Sequence, residues 1–103
     1  MVKGGGASIM AVSAEELEKG KEFLKRKGAR RIILFGSALR SPETAHDLDI
    51  ACEGITPEEF YAVAGEISRL LNREVDLIEL SDNTPFTRHV EKVGRVIYHD
   101  ERT

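Results

Sequence analysis

Phe35-Gly36-Ser37-Ala38-Leu39-Arg40, followed after a short loop by Asp47-Leu48-Asp49-Ile50-Ala51-Cys52, is the stretch that decides how this chain folds. Arg31-Ile32-Ile33-Leu34 leads into it, an apolar run ended by Gly36, as expected of a central strand buried on both faces. Gly36-Ser37 opens a short turn or helix that Pro42 closes, and Asp47 begins a second strand with strict alternation at its start. Nine residues, Ala38 to His46, join the two. A parallel crossover needs about a dozen residues or more, so the strands are expected to run antiparallel, the end of the first beside the start of the second.

Upstream, Ser13 and Glu16 form an S-x-x-E capping box for a helix reaching Lys27, with Leu17, Phe23 and Leu24 as its apolar contacts and Gly28 at the C′ position. Downstream, Thr56, Pro57 and Glu59 mark a second capped helix. Phe60, Val63, Ala64, Ile67, Leu70 and Leu71 form its core-facing stripe. Glu74–Leu80 reads as a third strand, parallel to the second through a right-handed crossover. Thr84-Pro85 starts a short helix through Val93, Gly94 ends it, and Val96-Ile97-Tyr98 is an edge strand. Residues 1–12, with three consecutive glycines, are expected to be a flexible leader, and 13–103 a single domain. The fold class is α/β (α+β), a small mixed β-sheet flanked by helices.

Composition narrows the function. The 103 residues suffice for one small domain. Fifteen Lys and Arg against eighteen Asp and Glu give a net charge of −3, which disfavours electrostatic capture of nucleic acid or an anionic membrane. Six aromatics (four Phe and two Tyr, with no Trp) argue against a base-stacking platform for nucleic acid. The lone Cys52 fits a reducing, cytoplasmic setting and reads as a small core residue. His46, His89 and His99 lack zinc-ligand spacing. The Lys25-Arg26-Lys27 run reads as a solvated helix end that complements the dipole.

Chemistry concentrates around the first two strands. Gly36 lets a ligand approach the backbone, Ser37 offers a hydroxyl at a helical turn that attracts phosphate, and Arg40, about one turn on, reaches the same anion. Asp47 and Asp49, with Cα atoms roughly 6–7 Å apart on one strand face, suit a hard cation. Asp76, near the start of the third strand, joins them at the same rim. Two Mg²⁺ ions held there, roughly 3.5–4 Å apart, would activate an acceptor hydroxyl and neutralise a triphosphate during in-line displacement.

Gly36-Ser37, the spacer, Asp47-x-Asp49 and a later Asp76 together resemble the nucleotidyltransferase superfamily that includes DNA polymerase β. They resemble more closely its minimal nucleotidyltransferase (MNT) members, antitoxin partners of HEPN-domain toxins. Arg40 matches an arginine often found after the Gly-Ser pair, and the likeness runs from about Ser13 to Tyr98. The nine-residue spacer is slightly short for the family, and His46 stands where a small polar residue is common. The resemblance implies a polymerase β-like fold and Mg²⁺-dependent transfer of AMP from ATP to a hydroxyl, a tyrosine, of a HEPN-type partner. Asp47, Asp49 and Asp76 would be its catalytic and metal residues, and Gly36, Ser37 and Arg40 its nucleotide-binding residues. The rival reading is a non-catalytic antitoxin that occludes its partner. Transfer to a small molecule or an RNA end is weaker, because the chain shows no acceptor domain and no basic groove.

Overall fold

Residues 12–100 are described by the computed structural model, in which short polar or glycine-containing turns separate the expected elements. In chain order they are α1 (Ala14–Arg26), β1 (Arg31–Phe35), α2 (Ser37–Arg40), β2 (Leu48–Glu53), α3 (Pro57–Leu71), β3 (Val75–Glu79), a 3-10 turn (Leu80–Asp82), α4 (Pro85–Val93) and β4 (Arg95–His99). Residues 1–11 of the expected leader lie outside the described residues. Val12 is packed, and its N–H donates to the Pro42 carbonyl at 2.9 Å.

The sheet has the order β3-β2-β1-β4, with β1 antiparallel to both neighbours and β2 parallel to β3. The short β1–β2 link and the helical β2–β3 crossover thus produce the expected directions. Strand alternation sorts the apolar side chains between two faces. Ile32, Leu34, Leu48, Ile50, Cys52, Val75 and Leu77 pack with Phe23, Leu24, Val63 and Ile67 of α1 and α3. Ile33 and Ala51 face the other way, against Leu80 and Val90, with Phe35 and Ile78 partly buried beside them. Among the described α-helices, the nine-residue α4 thus contributes the buried side chain on the second face, Val90.

Some local expectations give way to tertiary contacts. Ser13 Oγ accepts the Glu16 N–H at 3.0 Å, but the Glu16 carboxylate pairs with Arg73 instead of closing the capping box. Thr56 makes no side-chain cap bond, so the box expected with Glu59 does not form; Pro57 at the first turn and the Thr56 carbonyl start α3. Thr84 and Thr87 do form a reciprocal box at α4. Gly94 ends α4 as expected, with extended backbone, and close packing requires the glycine: a Cβ there would meet Ile33 and the Val90 and Leu34 carbonyls.

Cys52 is fully buried, and burial together with the nearby Glu79 and Glu53 carboxylates pushes its thiol up to about 12. The reactive thiolate is therefore scarce at any neutral pH. Native protein is expected to resist iodoacetamide at pH 8 and to take up one label on unfolding, as read by intact mass.

Candidate active site

The candidate site is a row across three adjacent strands. Phe35 of β1 is the cross-strand partner of Asp49 on β2, and Asp49 is in turn the register partner of Asp76 on β3. Asp49 and Asp76 project to the face that Ala51 and Ile78 share, because their neighbours Leu48, Ile50, Val75 and Leu77 are buried on the other. Asp47 sits one residue before β2, in a bend rather than on the strand as expected from its alternation, and is exposed.

Gly36 closes the row from the β1 side. Its φ of 75° and ψ of −156° are essentially confined to glycine. A Cβ at this position would overlap the Asp49 carboxylate, lying 2.9 Å from its Cγ and 3.1 Å from its Cβ. The bare backbone is thus pressed against the carboxylate. The Gly36 carbonyl takes the N–H groups of Leu39 and Arg40 at 3.1 and 3.2 Å, winding α2 into the single turn that carries Ser37 and Arg40. Ser37 is half-buried, and Arg40 is exposed at the end of the turn.

The electrostatics bind these residues together. Asp49 is held above the ordinary aspartate range, first by burial, then by the charges of Asp76 and Asp47, with Arg40 pulling the other way. Among the described residues no three His, Cys, Asp or Glu side chains converge into a ready-made metal cage. The chemistry of the donor set nevertheless fits a hard divalent cation: oxygen donors only, with a repulsion centred on Asp49 that a cation relieves. Hollows of about 440 Å³ beside Phe60, Tyr61 and Glu79, and about 410 Å³ beside Arg26, Lys27 and Glu66, contain none of the site carboxylates. The carboxylate rim is an open ledge that a large substrate can approach.

One supporting residue escapes sequence reading. Arg73 lies between α3 and β3 with its side chain only 7% exposed. It makes a two-nitrogen pair with Glu16 of α1 and donates from Nη1 to the carbonyls of His46, at 2.8 Å, and Ala45, at 3.4 Å. Those carbonyls immediately precede Asp47, so the Glu16–Arg73 pair anchors the loop that carries it. Arg73→Met leaves Glu16 without this partner in a nearly buried setting, a loss of about 3 kcal/mol. The melting temperature is expected to fall accordingly, and Glu16→Gln in the same chain to restore part of the loss by removing the stranded charge.

The polymerase beta nucleotidyltransferase family model matches residues 18–103, which include every candidate site residue. The chain belongs to that nucleotidyltransferase family. Solved structures share its fold. A tri-AMPylated Shewanella oneidensis HEPN toxin in complex with MNT antitoxin includes a chain matching at a TM-score of 0.68 and 20% identity, over 85% of this chain and 73% of that one. A toxin–antitoxin structure with AMP-PNP matches at 0.66 and 19%, covering 85% and 74%. A minimal nucleotidyltransferase matches at 0.64 and 24%, covering 79% and 87%. No curated protein matches in sequence.

Proposed function

We propose that this nucleotidyltransferase uses Mg²⁺ and ATP to transfer AMP to a tyrosine hydroxyl of a HEPN-type toxin in the cytoplasm, and so acts as its antitoxin. The observation that carries the reading is the Asp49–Asp76 register pair with Gly36 pressed against Asp49. The family match supports nucleotidyl transfer, and the structural neighbour holding an AMPylated HEPN toxin supports the acceptor. The neighbour with AMP-PNP supports a triphosphate donor. Among the described residues no helix is long and apolar enough to cross a membrane.

In this reading Asp47, Asp49 and Asp76 would hold two Mg²⁺ ions. When bound, these ions neutralise the triphosphate and lower the pKa of the acceptor hydroxyl. Gly36 admits the triphosphate to the backbone, Ser37 donates its hydroxyl, and Arg40 supplies a cation from the end of α2. Asp76 accepts the acceptor's proton as its oxygen attacks the α-phosphorus. The bond from that phosphorus to the bridging oxygen of the β-phosphate breaks, and pyrophosphate leaves. Arg73 holds the loop that carries Asp47.

Isotope placement tests the reaction. Label in the α-phosphate of ATP is expected to appear on the HEPN-type partner, and label in the γ-phosphate to stay in solution, with EDTA abolishing transfer. Neutralisation of the partner by an Asp47→Asn/Asp49→Asn variant, with no label from the wild type, would replace catalysis by occlusion.

A further inference from the structure

Because the short α4 covers the second sheet face, an aromatic ring remains open beside the row of site residues. Phe86, in the first turn of α4, is 50% exposed. Its ring centroid lies 6.0 Å from that of Phe35, with the planes 75° apart. Phe35 is the first member of the row: it precedes Gly36 in the chain and faces Asp49 across the strands. In a perpendicular pair, one ring turns its edge to the other's face. Whichever ring does so here, Phe35 covers at most one face of Phe86, and half of the residue stays exposed.

We propose that Phe86 is the platform on which the nucleobase of the donor nucleotide stacks. The inference rests on the reading of the ledge as a nucleotide-transfer site and adds the base subsite to it. A nucleotide whose phosphates lie at Gly36 and Ser37 carries its base a short distance away, and Phe86 is the half-exposed ring joined to that corner through Phe35. The other exposed aromatic, Tyr61, lines a hollow with Leu77, Ile78, Glu79 and Ser81 along the second half of β3 and the turn after it. None of the site carboxylates lines that hollow, whereas Phe86 meets Phe35, the cross-strand partner of Asp49. Arg88, on the next turn of α4, is engaged with the Asn83 carbonyl at 3.1 Å. Recognition by a phenyl face tolerates any base and favours the larger purine ring systems.

The chain has no tryptophan, so Phe86→Trp installs a single indole reporter. With Mg²⁺ and no acceptor, ATP is expected to quench its fluorescence, while tripolyphosphate leaves it unchanged. By calorimetry, Phe86→Ala should bind ATP about tenfold more weakly, with tripolyphosphate affinity unchanged and Phe86→Tyr resembling the wild type. Unchanged ATP affinity in Phe86→Ala, with tripolyphosphate still bound, would overturn the platform and leave the ledge intact. Unchanged ATP affinity together with lost binding to the HEPN-type partner would also overturn it, making Phe86 a protein anchor. Failure of the wild type to bind either ligand would overturn the ledge reading itself, and the platform with it.

Discussion

Asp49→Asn is expected to abolish AMP transfer while making the metal-free fold more stable at neutral pH. Both effects come from the same placement. Asp49 sits between Gly36 and Asp76, partly buried, with two like charges acting on it. Its folded pKa is raised above the unfolded value, so the folded state binds the proton more tightly and stability falls as pH rises through that range. At pH 7 the ionised carboxylate carries the full penalty; below the unfolded aspartate value, about 3.9, the penalty is gone. Asparagine removes it, so the variant's melting temperature should exceed that of the wild type at pH 7 and converge on it as pH falls toward 4. Mg²⁺ should stabilise the wild type and leave the variant nearly unmoved, since only the wild type offers the full carboxylate set. The rate of transfer should fall by at least about a thousandfold. A variant that is less stable than wild type at neutral pH, yet active, would mean that Asp49 serves the fold rather than the reaction.

The second large effect is expected at Gly36. Gly36→Ala introduces strain in a backbone region that L-residues avoid, a cost of about 1–3 kcal/mol. The new methyl also occupies the position of the Asp49 carboxylate, which has to swing away. Transfer should therefore drop by about a hundredfold or more even in the folded fraction. A double-mutant cycle separates the two causes. In an Asp49→Ala background the collision is largely relieved, so the further stability cost of Gly36→Ala should shrink to its backbone part. Thermal melts of the four proteins measure it. Equal costs in the two backgrounds would show that no collision with Asp49 occurs.

The fold and the outline of the ledge were legible from Arg31 to Asp76 because local rules and topology agree there. A nine-residue link forces β1 and β2 antiparallel, and a helical crossover makes β3 parallel to β2. Those two constraints alone bring Gly36, Asp49 and Asp76 to one edge. Asp47 illustrates the limit: alternation puts it on the strand, whereas the carbonyls just before it are held by Arg73 and the chain bends. Arg73 itself was invisible, since its partner Glu16 lies 57 residues away and looks, locally, like half of a capping box. In the folded protein the long-range ion pair wins that carboxylate over the helix's own N–H. Phe86 was hidden for a different reason. Nothing in Thr84-Pro85-Phe86 distinguishes a buried phenyl from an exposed one, and the difference arises from how α4 seats Thr87 and Val90 inward and leaves Phe86 half exposed.

The Gly36–Asp49–Asp76 ledge is proposed to transfer AMP to a protein acceptor. Its most direct test is the intact mass of a HEPN-type partner after incubation with this protein, ATP and Mg²⁺. A mass increase of one or more AMP units is expected on the partner with the wild type, and none with Asp49→Asn. An unmodified partner that is nevertheless neutralised by both proteins would contradict it.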